Sequence, residues 1–264
     1  MLDLEAEYNN RARVPEHPAI IAGWQRDAAA FRATQPNAQL AVSYGPTERQ
    51  RMDIFWPNPQ RHAPLAMFWH GGYWQALDRG DFSHLAAGLV AHGVAVAMPS
   101  YDLCPYVTLS EIVAQARRAA RFLHGRTGAK LLGMGHSAGG HLAAMAMAQE
   151  TDAVPAMLAI SGLFDLAPLV PTSINGALKL SVTEAVALSP VKLPRPAHRG
   201  LLAVVGAEES GEYHRQTRAI AEAWGGAHET APGNHFTVLA PLADPASALV
   251  AAALRLLPAA PPPA

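Results

Sequence analysis

Short apolar runs alternate along the chain with stretches whose apolar residues recur at helical spacing. The runs Gln39–Tyr44, Arg51–Trp56, Leu65–Trp69, Val94–Met98, Leu131–Met134, Ala156–Ile160, Leu201–Val205 and Ala227–Ala231 predict strands. The first two alternate in polarity, are joined at Gly45-Pro46 and end at Pro57 and Pro59, which suits an antiparallel edge hairpin. Helices are predicted over Ile20–Phe31, Asp81–His92, Thr108–His124, His141–Ala148 and Glu212–Trp224. In the second of these, Phe82, Leu85, Ala86 and Leu89 fall at i, i+3, i+4 and i+7, and Gly93 stops it. Thr108 and Glu111 have the spacing of a capping box. A last helix is expected from Phe236 onward, broken near Pro241 and Pro245. Strands alternating with helices imply an α/β fold: a mostly parallel sheet with helices on both faces, whose site lies at the carboxyl ends of the strands. That rule sets His70, Ser137, Gly206 and the loop at His235 along one rim.

Two stretches fall outside this rhythm. Residues 1–38 read as an N-terminal arm, polar around Asn9 and Asn10, with Pro15 and Pro18 breaking any long helix. Residues 162–198 hold five prolines and two short helical patterns but no strand. They are too long for a plain connection and are expected to cover the site as a small lid. The tail 258–264, PAAPPPA from Pro258, is expected to be disordered. No repeat is found, and residues 1–264 read as a single domain.

Composition narrows the chemistry. A chain of 264 residues, half of them hydrophobic, can bury one large core. With a net charge of −1 and no basic stripe, nucleic acid and acidic membrane surfaces are not expected partners. The only cysteine, Cys104, cannot form an internal disulfide, and no Cys/His cluster suggests a metal. No cofactor is expected. The N-terminus, MLDLEAEYNN, is acidic and lacks the apolar core of a signal peptide. No run of about 18 apolar residues suggests a membrane span. The expectation is a cytoplasmic protein acting on a small molecule.

The chemistry centres on Gly135-His136-Ser137-Ala138-Gly139, between a strand and a helix. A G-x-S-x-G pattern alone is common by chance; the flanking strand and helix give it meaning. Side chains two before and two after the serine would clash in so tight a turn, and glycines stand at both places. Ser137 is then exposed on a strained backbone, with the Ala138 N–H aimed where an oxyanion would form. A serine nucleophile needs a base, itself oriented by an acid. His235, in Pro232-Gly233-Asn234-His235-Phe236 beyond the last strand, suits the base; His228 lies inside that strand. Glu209, three past Gly206, suits the acid; adjacent Glu208 reads as a solvated neighbour, and Asp165, after the preceding strand, is the main rival. Gly71 and Gly72 leave backbone N–H groups free to complete an oxyanion hole with Ala138.

The chain resembles the α/β-hydrolases, and within them the kynurenine formamidase (arylformamidase) branch and its bacterial esterase relatives. The matching pieces are HGGYW at 70–74, YDLCP at 101–105, GHSAGGHL at 135–142, SGLFDL at 161–166, TSINGALKL at 172–180 and VGAEESGEYHRQ at 205–216. The resemblance implies an α/β-hydrolase fold and hydrolysis of N-formylkynurenine to kynurenine and formate, in tryptophan breakdown. It puts the triad acid at Glu209, where many relatives carry Asp. Tyr73, Trp74, Ser173 and Asn175 are candidate substrate contacts by position only. A generalist carboxylesterase on short-acyl esters is the close alternative, and a non-catalytic binding protein of the same fold a distant one. A homodimer is left open.

Overall fold

A computed structural model describes residues 2–197 and 200–259. Among the described residues eight strands form one sheet: β1 (Ala38–Ser43), β2 (Arg51–Phe55), β3 (Leu65–Trp69), β4 (Ala95–Pro99), β5 (Leu131–His136), β6 (Ala156–Ile160), β7 (Gly200–Gly206) and β8 (Ala227–Ala231). Their order is β1-β2-β4-β3-β5-β6-β7-β8. β1 runs antiparallel to β2 and β2 antiparallel to β4, while every later pairing is parallel. The alternating hairpin therefore lies at one edge, and the continuous apolar runs of β3 to β6 are buried in the middle.

Side chains alternate across the sheet and build two cores. Leu65, Met67 and Trp69 of β3 face one side, with Met157 and Ala159 of β6; Ala66, Phe68, Leu158 and Ile160 face the other. The helices are α1 (Leu4–Tyr8), α2 (Asn10–Arg13), α3 (His17–Ala33), α4 (Ala87–Ala91), α5 (Leu109–Thr127), α6 (Ala138–Gln149), α7 (Asn175–Leu178), α8 (Val182–Ala187), α9 (Gly211–Trp224) and α10 (Ala248–Leu256). The first core packs against α5, α6 and α9, and the second against α3 and α10. Thr108 and Glu111 do exchange capping hydrogen bonds at the start of α5, and Gly128 ends it in a left-handed conformation.

Three expectations need correcting. Pro18 does not break the arm: it sits in the first turn of α3, where a missing N–H costs nothing, and the helix starts earlier than expected. The helix expected over Asp81–His92 is two 3-10 turns, Arg79–Asp81 and Ser83–Ala86, followed by α4. Asp78 and Asp81 cap the first turn as a unit of its own. The carbonyl of Gly80, which an α-helix would pass to residue 84, is taken by the Arg32 guanidinium, which also holds Ser83 Oγ at 2.9 Å. The last helix begins at Ala248, beyond Pro245, with only a 3-10 turn at Ala240–Ala243 before it. The expected tail lies outside the described residues from 260 on. Among the described residues no helix is long and apolar enough to cross a membrane.

Candidate active site

β5 ends at His136 and α6 begins at Ala138, so the turn between them is a single residue. Ser137 occupies it at φ 55° and ψ −120°, a conformation that costs a non-glycine residue on the order of 1–3 kcal/mol. Its N–H, bonded to Ile160 O at 2.9 Å, holds the apex down on β6. The flanking glycines are required by space. A Cβ at Gly139 would lie 1.9 Å from Trp69 O, and one at Gly135 2.1 Å from Gly139 O. β3 brings the second glycine pair to the same place: a Cβ at Gly71 would lie 3.2 Å from that of Ser137, and Gly72 has φ +109°. Among the described residues the N–H groups of Gly71, Gly72 and Ala138 have no hydrogen-bond acceptor, as donors kept for a ligand would be.

His235 and Ser137 line one cleft with Gly71 and Gly72, with an empty volume of about 430 Å³. The histidine is fixed at both ends. Its Nδ1 N–H donates to Glu209 Oε2 at 2.6 Å, and its carbonyl accepts from His136 Nε2 at 2.8 Å. Its ring lies 4.7 Å from those of His136 and Tyr213. With Nδ1 carrying the proton, Nε2 carries the lone pair that a base needs. Glu209 Oε1 accepts from Gly206 N–H at 2.8 Å and from the Ser161 hydroxyl, so the buried carboxylate has partners on both oxygens.

The rival acids are committed elsewhere. Asp165 pairs with Arg215 Nη1 at 3.2 Å, and its N–H bonds Gln216 Oε1 at 2.7 Å. Glu208 is exposed and lines a separate surface pocket beside Arg13 and Glu16.

Of the four candidate substrate contacts, only Tyr73 lines the Ser137 cleft. Trp74 is fully buried, edge-on to His141 at 5.1 Å. Ser173 donates Oγ to Glu5 Oε1 at 2.7 Å, and lines a neighbouring cavity with Ile174. Asn175 spends its amide on Val170 O, Leu180 O and Leu180 N, which closes the loop of the insertion on itself. Among the described residues, none of 162–198 lines the Ser137 cleft, whereas Asn10, Arg11, Ile21 and Trp24 of the N-terminal arm do. The arm is anchored by Asn10, whose Nδ2 donates to Tyr213 Oη at 2.8 Å and Tyr73 Oη at 3.2 Å, and by Tyr8, which bonds Glu212 and Gln216. Sequence reasoning missed Ser161, Tyr213 and the arm. The polar Tyr8-Asn9-Asn10 run was the available signal.

Three other histidines surround the site and are structural. His70 Nδ1 donates to Gly71 O at 2.8 Å, His141 Nε2 to Leu188 O at 2.8 Å, and His136 to His235 O. Burial pushes His70 and His141 down to about 4, and His136 well below its ordinary value. In the unfolded chain each would titrate near 6.5, so between about pH 6.5 and 4 the unfolded state binds protons that the folded state refuses. Their contribution is complete above that window and is lost as pH falls through it, by on the order of 1 kcal/mol per histidine per pH unit. The urea midpoint is expected to be clearly lower at pH 5 than at pH 7.5; an equal or higher midpoint at pH 5 would contradict this.

Several known proteins resemble this chain in sequence or fold. The BD-FAE family matches residues 52–164. A kynurenine formamidase from Salmo salar is 31% identical over 195 residues, which are 67% of this chain and 65% of that protein, a little under two thirds of its length. Another from Danio rerio is 28% identical over 228 residues, covering 78% of this chain and 77% of that protein. Among solved structures, a Silicibacter protein described as a "putative thioesterase" superposes with a TM-score of 0.87 at 37% identity, covering 95% of this chain and 98% of that one. The eight-stranded order, the serine turn and the likeness to the Silicibacter protein lead to one assignment: the chain belongs to the α/β-hydrolases, and among them it is similar in sequence to kynurenine formamidases.

Proposed function

We propose that the protein is a serine hydrolase that cleaves aryl formamides, N-formylkynurenine being the substrate suggested by its relatives. The observation that carries the reading is the Glu209–His235 pair at 2.6 Å, lining the cleft that also holds Ser137 and the Gly71-Gly72 backbone. In the first half-reaction His235 Nε2 takes the Ser137 proton as Oγ attacks the formyl carbon. The carbonyl oxygen becomes an oxyanion facing the N–H groups of Ala138, Gly71 and Gly72, each such donor being worth about 3 kcal/mol. The C–N bond then breaks, and the imidazolium gives its proton to the departing arylamine nitrogen. In the second half-reaction water, deprotonated by His235, attacks the formyl-enzyme; formate leaves and Ser137 recovers its proton. Glu209 stays ionised and holds the imidazole in the useful tautomer.

The formyl group is the smallest acyl group, and the glycines crowded against Ser137 suit a tight acyl site. The test is a substrate panel. N-formylkynurenine is expected to reach kcat/KM of about 10⁴ M⁻¹s⁻¹ or more. Among p-nitrophenyl esters, activity should fall steeply from acetyl to octanoyl. If the formamide is barely turned over while butyryl and longer esters are fast, the carboxylesterase reading replaces this one.

A further inference from the structure

We propose that Arg11 is a specificity residue that receives a carboxylate on the leaving-group side of the substrate. The inference rests on the reading above in taking Ser137 as the reacting centre. The Ser137 cleft opens beside a second cavity, with an empty volume of about 860 Å³, and Asn10, Arg11, Gly72 and Tyr73 line both. Arg11 is the only formally charged side chain among the described residues lining either space. Around it the second cavity offers neutral polar groups from Asn9, Gln75 and Ser173.

Arg11 is exposed and, among the described residues, has no carboxylate within ion-pair distance. The nearby acids are engaged elsewhere. Glu5 accepts two hydrogen bonds from Ser173, Glu7 accepts the Glu212 N–H, and Glu212 holds Arg215 and Tyr8. Glu209 is covered by His235. The positive charge at the junction of the two cavities therefore has no ion-pair partner among the described residues.

Its backbone, by contrast, is fixed. The Asn9 side chain caps α2 through Ala12 N–H at 3.1 Å. Asn10, the residue next to Arg11, is buried and donates to Tyr213, whose ring contacts His235. Tyr73 closes the network by donating to Tyr8 O. A guanidinium carried on a pinned segment loses less freedom on binding than one on a loose arm. Its planar fork matches the two oxygens of a carboxylate. With the scissile carbonyl at Ser137, the leaving group would extend past Gly72 and Tyr73 into the second cavity, bringing an acidic tail to Arg11. An aryl formamide bearing an amino-acid side chain has this chemistry, and so has any aryl ester with an acidic leaving group.

The test uses full-length protein and two aryl acetates, one with a ring carboxylate on the leaving group and one with the matching methyl ester. The ratio of their kcat/KM values is compared between wild type, R11Q and R11K, so differences in intrinsic reactivity cancel. At low salt the anionic-to-neutral ratio should be about tenfold higher in wild type than in R11Q, mainly through KM, with R11K between them. The excess should shrink in about 0.5 M NaCl. Equal ratios in wild type and R11Q would overturn the assignment, as would a loss in R11Q shared equally by both esters. The outcome is separable from the formamide question. A carboxylate preference without turnover of N-formylkynurenine would leave Arg11 assigned and remove the aryl formamide reading; turnover without the preference would do the reverse.

Discussion

Ser137→Ala is expected to lower kcat by on the order of 10⁵-fold or more, because nucleophile, base and acid act as a unit and removing the attacking oxygen leaves the rest without a task. The fold should persist. Alanine keeps the Cβ that Ser137 already carries at φ 55°, and the backbone bond to Ile160 O that fixes the apex is unaffected. Circular dichroism and a urea midpoint close to wild type, together with activity at the limit of detection, are the expected pair of results. Activity within tenfold of wild type would mean that Ser137 is not the nucleophile.

Glu209→Gln is expected to lower kcat by about 10⁴-fold, and the hydrogen-bond pattern explains why. Oε1 of Glu209 accepts from both Gly206 N–H and the Ser161 hydroxyl, so an amide there must keep its oxygen on that side. The NH₂ is then turned toward His235 Nδ1, where it can only donate. Nδ1 must become the acceptor and the proton moves to Nε2, the nitrogen that should receive the Ser137 proton. The variant would thus hold the imidazole in the wrong tautomer, besides losing the charge that stabilises the imidazolium. Asp165→Asn is the control. It removes a partly exposed ion pair with Arg215, worth about 1 kcal/mol or less, and should change kcat only a few-fold. A larger loss from Asp165→Asn than from Glu209→Gln would transfer the orienting role to Asp165.

The parts legible in the sequence were those set by local pattern. The eight strands follow from short apolar runs, and the serine turn from two glycines whose missing Cβ atoms leave room for Trp69 O and Gly139 O. The choice between Glu209 and Asp165 was not legible to the same degree. Both follow strands that end at the same rim, and only side-chain reach and the pull of Arg215 separate them. The segment after Asp78 misled because helical spacing says nothing about an arginine from α3 taking a carbonyl in the middle of the run. The arm was hardest to read. Its role rests on contacts between residues about two hundred positions apart, Tyr8 with Glu212 and Asn10 with Tyr213, which no periodicity within the arm encodes. Likewise the five prolines of 162–198 announced an irregular insertion but not which cavity it would line.

The most direct measurement of Ser137 as an activated nucleophile is covalent labelling. Activation by His235 should let Ser137 attack a fluorophosphonate, displacing fluoride and leaving a stable phosphonyl ester in the oxyanion site. Intact-mass analysis is expected to show one adduct per chain, forming in step with loss of esterase activity. Peptide mapping should place it on Ser137, and His235→Gln should slow labelling by several powers of ten. An inactivated protein whose adduct lies on another residue, or an active protein that resists the probe and labels no faster than its His235→Gln variant, would contradict the serine-hydrolase mechanism.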